Sequence, residues 1–102
     1  MLEVRCTTEF INWLLELRDV AARVMIAKRI DRIAQGNFGD AKSVGDGMSA
    51  LRFTFGPGYR VYYTRHGDVL VILLYGGDKA SQGGDIERAE TMAQEIKAQE
   101  IG

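Results

Sequence analysis

The sequence of 102 residues contains only one cysteine, Cys6, and one histidine, His66. A single cysteine cannot form a disulfide within the chain, which fits a reducing compartment. One cysteine and one histidine also exclude a zinc site built on those two residue types. The sequence therefore predicts neither a disulfide framework nor a metal centre.

Long apolar runs are absent as well. No run approaches the about 18 residues that a membrane-spanning helix needs, and the start, MLEVRCTTE, lacks the basic and apolar regions of a signal peptide. We therefore expect a cytoplasmic protein with no membrane partner. A chain of this length has room for one modest core, so we predict a single domain over residues 1–102.

The net charge is only −1, which by itself argues against a general nucleic-acid binder. The charges are nevertheless unevenly distributed. Residues 28–65 hold seven basic side chains against three acidic ones, whereas residues 78–102 hold six acidic against three basic. Solvated surfaces often segregate charge without a function, so this pattern alone assigns no partner.

Hydrophobic periodicity predicts three helices and four strands. A hydroxyl of Thr7-Thr8 and the carboxylate of Asp19 are candidate caps for the first two helices, of which the second ends near Gly36, and a third helix covers about residues 84–99. Strands are predicted over residues 2–6, 48–55, 59–64 and 69–75, and residues 37–47 are predicted to be a loop. The order β-α-α-β-β-β-α favours an α+β domain, with a mainly antiparallel four-stranded sheet and helices on one face.

The turns between the last three strands predict how those strands pair. A turn centred near Pro57 places Arg52 opposite Tyr62, and a turn centred near Gly67 places Tyr62 beside Ile72. We use this register to predict which side chains share a face of the sheet.

Alternation along the strands places Arg52, Arg60 and Tyr62 on the open face, near the loop that carries Asp78 and Lys79. An arginine fork suits phosphate oxygens, and an aromatic ring can stack on a base, so the group favours single-stranded nucleic acid. If RNA is cleaved there, a 2′-hydroxyl attacks its own phosphodiester while the cations stabilise charge on the phosphate. Solvated Arg–Tyr packing without any ligand is the alternative interpretation.

Five segments carry a resemblance to a known family: FINWLLEL, GNFGDAKSVGDG, ALR, GPGYRVYY and LLYGGDKASQGGDI. Together they resemble the killer proteins of HigB-like addiction modules, in the RelE/ParE superfamily of type II toxins, over about residues 2–98. The resemblance implies a RelE/ParE-like fold and a toxin that inhibits translation by cutting messenger RNA on the ribosome. It also implies a helix-turn-helix antitoxin, through which a toxin–antitoxin complex can bind operator DNA, and it implies no cofactor.

Matching by motif extends the resemblance to single residues. The residues at catalytic positions of the family are Arg52, Arg60, Asp78 and Lys79. The residues at its RNA-binding positions are Lys42, Tyr62 and Tyr63. Relatives commonly carry a glutamate where this chain has Ala50, so a carboxylate that could act as a base is missing. Two alternatives therefore stay open: a non-catalytic poison of DNA gyrase, and an inactive binding module that its antitoxin neutralises.

Overall fold

In the computed structural model, which describes residues 2–101, the segments of regular structure follow the order β-α-α-β-β-β-β-α. Their bounds are β1 Glu3–Cys6, α1 Thr8–Glu16, α2 Val20–Ile33, β2 Ala41–Gly45, β3 Met48–Arg52, β4 Tyr59–His66, β5 Leu70–Asp78 and α3 Gln82–Ile101. The strands form a mixed five-stranded sheet in the order β1-β5-β4-β3-β2, with β1 parallel to β5 and the other neighbours antiparallel. The prediction of an α+β fold is confirmed. Within the described residues, no helix is long and apolar enough to cross a membrane.

Polar caps begin the first two helices at the positions that the sequence predicts. The hydroxyl of Thr7 accepts a hydrogen bond from the backbone N–H of Phe10 at 3.0 Å and donates to the carbonyl of Leu74 at 2.6 Å. Asp19 accepts from the N–H of Ala22 at 3.1 Å. Each cap satisfies a donor that the first helical turn leaves without a partner, and Thr7 also fixes the start of α1 against β5.

The sheet has a core on each face. Helices α1 and α2 cover a core of Leu2, Phe10, Ala22, Ile26, Ile33, Leu51, Phe53, Tyr59, Val61, Tyr63, Val71 and Leu73. Helix α3 covers the other face, with a core of Met48, Ala50, Tyr62, Ile72, Leu74, Ala89 and Met92. The prediction that all helices lie on one face is therefore wrong. The reason lies in β5, whose residues 71–74 are all buried and need cover on both sides.

The fifth strand, β2, lies where the sequence predicts a loop, so the prediction of four strands is also wrong. Residues Ala41–Gly45 pair with β3 through a tight turn at Asp46 and Gly47, whose φ angles are +54° and +75°. Positive φ at both turn positions is the geometry that Asp-Gly favours in two-residue hairpins. Most side chains of β2 are exposed, and without an apolar alternation the segment lacks the usual signal of a strand.

The register differs from the predicted one. Arg52 pairs with Arg60 and Ala50 pairs with Tyr62, so the first turn is centred on Gly56. Tyr62 pairs with Tyr75 rather than Ile72, with an irregularity in the ladder after Tyr62. The pairs Thr64–Ile72 and His66–Leu70 centre the second turn on Asp68 rather than Gly67, and the irregularity after Tyr62 shifts its partner by one more residue.

Gly76 lets α1 approach β5 closely, because a Cβ at this position would overlap the ring of Trp13. We expect Gly76→Ala to lower the free energy of unfolding by about 1–3 kcal/mol, since the helix and the strand must move apart. Gly83→Ala in α3 is the matched control, because a Cβ at this position meets nothing within 4 Å. The substitution should not lower stability, since it reduces the conformational entropy of the unfolded chain. Denaturant titration of both variants checks the difference, and equal stabilities would contradict this account of Gly76.

Candidate functional site

The basic pair, Arg52 on β3 and Arg60 on β4, lies at one end of the sheet. The two residues are register partners, and Gly77 of β5 continues the same row beyond Arg60. Register partners place their side chains on one face, about 4.5–5.5 Å apart at Cβ. Like charges directly opposite each other destabilise a sheet, so this pair favours binding of an anion between the two guanidinium groups.

Arg52 already forms an ion pair with a carboxylate of the same chain. Its Nε and Nη2 donate to Asp40 Oδ1 at 3.1 and 2.8 Å, and the Arg52 side chain is 40% exposed. An exposed ion pair of this kind contributes about 0–1 kcal/mol. Arg52 can therefore exchange the carboxylate for a phosphate at little cost.

Arg60 is fixed by the turn that precedes its strand. Its Nη1 donates to the carbonyl oxygens of Phe53, Gly58 and Tyr59 at 3.4, 3.1 and 3.0 Å. Within residues 2–101, Nε and Nη2 of Arg60 have no hydrogen-bond partner. Carbonyl oxygens orient the guanidinium without neutralising it, so its charge remains available to a ligand.

Lys79 lies beside Arg60 at the same end of the sheet. A Cβ on Gly58 would lie 3.4 Å from Lys79 Cβ and 3.6 Å from Arg60 Nη1, so the base of the Lys79 side chain and the guanidinium of Arg60 both lie next to this glycine. Lys79 is exposed, as its position after β5 requires. The structure thus brings Arg52, Arg60 and Lys79 into one basic site.

Asp78 and Ser81 close the connection between β5 and α3. Asp78 Oδ1 accepts from the N–H of Ser81 at 3.0 Å, and Ser81 Oγ accepts from the N–H of Asp78 at 3.2 Å. Ser81 Oγ also forms a short hydrogen bond with Asp85 Oδ2. Asp78 therefore fixes the turn that carries Lys79.

Ser81 and Asp85 are not among the residues that the sequence predicts for the site. A serine ahead of a helix and an acid in its first turn are signals of a helix start, but they do not indicate that Asp85 reaches the sheet. Among the described residues, no three His, Cys, Asp or Glu side chains gather closely enough to hold a metal ion.

Tyr62 lies underneath α3 and has no exposed surface. The prediction that it lies on an open face is wrong, because the apolar stripe of α3 covers this part of the sheet. Its ring therefore cannot stack on a base. The hydroxyl is buried and has no hydrogen-bond partner among the described residues. Burial, followed by the nearby carboxylate of Asp85, raises the pKa of Tyr62 to about 12, while Arg60 opposes the shift.

The raised pKa of Tyr62 makes stability depend on alkaline pH. The folded protein keeps the phenol neutral beyond the ordinary pKa of 10, so its contribution to stability is complete below pH 10 and is lost toward about pH 12. We expect Tyr62→Phe to weaken this alkaline loss without lowering stability at neutral pH, since the hydroxyl has no partner to lose. Denaturant midpoints below pH 10 and near pH 12 check this, with Tyr75→Phe as the comparison. Identical alkaline loss in wild type and Tyr62→Phe would contradict it.

Neither Tyr63 nor Lys42 is part of the basic site. Tyr63 points to the opposite face, where it is buried and its ring stacks on Phe38 with centres 5.4 Å apart. Burial is the main cause that raises the pKa of Tyr63. Lys42 is exposed on β2, in the row of Ala50 and Tyr62 next to that of the basic pair. Lys42 is therefore accessible to RNA, and Tyr63 is not.

A groove between α2 and the end of β3 adjoins Arg52. It has a volume of about 470 Å³, and its lining includes the cations Lys28, Arg29, Arg32 and Arg52, the acid Asp40, and the apolar residues Met25, Phe53 and Phe55. We call it the α2 groove. Its charge extends the basic site along the surface toward α2, which sequence spacing could not indicate because the two elements are distant in the chain.

Arg29 forms the inner wall of the α2 groove. It donates to the carbonyl oxygens of Phe38, Arg52 and Asp40 at 3.3, 3.0 and 2.7 Å, and its guanidinium lies 4.7 Å from the ring centre of Phe53. Burial is the main cause that lowers the pKa of Arg29. This residue, which the sequence does not single out, joins α2 to the segment that carries Asp40.

The chain is similar to an uncharacterized protein of Haemophilus influenzae. The two are 47% identical over 95 residues, which cover 93% of this chain and 96% of that protein. No family model matches the chain. No solved structure matches it either.

Proposed function

The chain belongs to one family with the uncharacterized Haemophilus influenzae protein, and we propose that it is the toxin of a type II toxin–antitoxin module, a HigB-like protein that inhibits translation by cutting messenger RNA on the ribosome. The observation that carries the proposal is the pairing of Arg52 with Arg60 beside Lys79. Three cations at one end of a sheet suit a phosphodiester, since within residues 2–101 a carboxylate pairs with Arg52 but not with Arg60 or Lys79.

The proposed reaction needs no group beyond the chain and the RNA. The 2′-hydroxyl gives its proton to a basic group of the site, its oxygen forms a bond to the phosphorus, and the bond from phosphorus to the 5′-oxygen breaks, which leaves a 2′,3′-cyclic phosphate and a 5′-hydroxyl. Arg52 and Arg60 stabilise the charge that develops on the phosphate oxygens, and such stabilisation usually accounts for most of the rate enhancement in phosphoryl transfer. Lys79 can protonate the departing 5′-oxygen. Asp78 positions Lys79 through its hydrogen bonds with Ser81.

The α2 groove gives the RNA strand a path beyond the reacting phosphate. Lys28 and Arg32 are exposed along it, and each contact with a phosphate releases counterions from the nucleic acid. The half-buried ring of Phe55 lines the same groove. The basic site and the groove together fit a single strand that continues past the cleavage position.

The proposal includes a RelE/ParE-like topology. The element order supports this topology, since the elements other than the edge strand β2 follow the order β-α-α-β-β-β-α. The added strand carries the exposed Lys42, which adds a cation on the face of the sheet that carries the basic pair.

The proposed partners are a cognate helix-turn-helix antitoxin, the ribosome and its messenger, in the cytoplasm. Exposed apolar side chains on α1 and α2 support a protein partner: Ile11, Leu15, Val20, Val24 and Met25. Patches of this kind beside basic residues favour an acidic amphipathic segment. Through the antitoxin, the complex can bind operator DNA.

One observation favours a non-catalytic alternative. Tyr62, Tyr63 and Ala50 are all buried, so the aromatic residues cannot stack on RNA and position 50 offers no base. A gyrase poison or an inactive binding module needs neither. If the chain is a nuclease, the carboxylate that accepts a proton during cleavage must come from another position in the site.

Induced expression of the chain without its partner distinguishes the candidates. We expect growth arrest with a rapid fall in messenger half-life, because ribosome-bound messenger is cut. Growth arrest with DNA-damage signalling and intact messengers would instead support a gyrase poison. Harmless overexpression of folded protein would contradict both toxin proposals.

A further inference from the structure

Gly77 places a carboxylate next to Arg60. The two residues are register partners on β5 and β4, and a Cβ on Gly77 would overlap Asp85 Oδ2. The carboxylate of Asp85 therefore occupies the space of the side chain that Gly77 lacks, on the face that Arg60 shares. Because register partners lie about 5 Å apart, Asp85 reaches the basic site from α3.

Arg60 and Asp85 nevertheless do not form an ion pair. Within residues 2–101, the basic and acidic side chains that pair within 4.0 Å are Arg5–Glu3, Arg52–Asp40 and Arg65–Asp68. Each partner is held away from the other, since Arg60 Nη1 donates to backbone carbonyls and Asp85 Oδ2 is bonded to Ser81. Among the described residues, Arg60 therefore keeps its charge while the carboxylate of Asp85 lies on the same face of the sheet.

We propose that Asp85 is the proton acceptor of the RNA cleavage reaction, an inference that rests on the proposed function. A phosphate bound by Arg60 places its neighbouring 2′-hydroxyl beside Asp85. Asp85 takes the proton of that hydroxyl as the 2′-oxygen attacks phosphorus, and the 5′-oxygen leaves with a proton from Lys79.

The alternative to a catalytic role is that the Asp85 carboxylate only stabilises the folded protein. Asp85 lies in the first turn of α3, where a negative charge is favourable, and its bond to Ser81 supports the helix start. A residue with only this role would affect stability when neutralised. It would leave the rate of cleavage by folded protein, and its dependence on pH, unchanged.

Asp85→Asn separates the two roles because it keeps the shape of the side chain. We expect ribosome-dependent cleavage to fall by about 100-fold or more and the loss of activity at acidic pH to disappear from the pH–rate profile. Glu87→Gln, which neutralises an exposed acid in the same helix, should retain the wild-type rate and profile. Folding of both variants is followed by circular dichroism.

A folded Asp85→Asn protein that cleaves at the wild-type rate would overturn the role of Asp85 and leave the nuclease function intact. Wild-type protein that does not cut ribosome-bound messenger would overturn the proposed function as well. If Asp85→Asn does not fold, the wild-type pH–rate profile decides, because a rate that does not fall at acidic pH contradicts a carboxylate proton acceptor.

Discussion

Replacing Arg60 by alanine should reduce ribosome-dependent cleavage by about 10²–10³-fold, the usual cost of removing a preorganised charge donor from a transition state. The guanidinium of Arg60 is held by three backbone carbonyls, so it needs no reorganisation when charge develops on the phosphate. Cells that express the variant alone should grow. Messenger half-life and growth after induction measure both effects.

Control measurements distinguish the loss of the Arg60 charge from a loss of folding stability. Truncation of Arg60 also removes hydrogen bonds that order the turn between β3 and β4, so thermal unfolding must accompany the activity measurement. Arg60→Lys retains a positive charge but loses the planar fork and should recover only part of the activity. Arg65→Ala removes an arginine from the other end of the same strand and should leave activity near wild type. A folded Arg60→Ala protein that still arrests growth would place the site elsewhere.

Replacing Arg29 by alanine should have the largest effect on stability among the surface arginines. We expect the free energy of unfolding to fall by about 2–4 kcal/mol, because carbonyls of three separate residues lose a charged donor together. The cation–π contact with Phe53 is lost as well. Denaturant titration measures the change.

Arg32→Ala is the matched control for Arg29. Arg32 lies one turn further along α2 and lines the same groove, but its side chain is exposed. Its removal should change stability by about 0.5 kcal/mol or less while weakening RNA binding through the lost phosphate contact. Equal destabilisation by the two variants would contradict the structural role of Arg29.

Much of the fold is predictable from local signals. The caps at Thr7 and Asp19 and the apolar periodicity locate the first two helices, and aromatic and β-branched residues locate β4. Strand β2 escapes prediction because its stability comes from pairing with β3 rather than from its own side chains. The position of α3 is a tertiary property, although the continuous apolar run of β5 indicates that both faces of the sheet need cover.

The candidate site is predictable only in part. Alternation correctly groups Arg52 with Arg60, because a register error of two residues keeps the face of each side chain. The accessibility of Tyr62 is not predictable in this way, since it depends on where α3 packs. Asp85 becomes visible only through its approach to Gly77, a contact between a helix and a strand that no sequence spacing encodes.

Cleavage of a defined messenger in a purified translation system tests the central claim most directly. With ribosomes present, the wild-type chain should cut the messenger within ribosome-occupied codons and leave 2′,3′-cyclic phosphate and 5′-hydroxyl ends, which primer extension and end analysis locate. Arg60→Ala should leave the same messenger intact. Folded wild-type protein that leaves ribosome-bound messenger uncut would contradict the account.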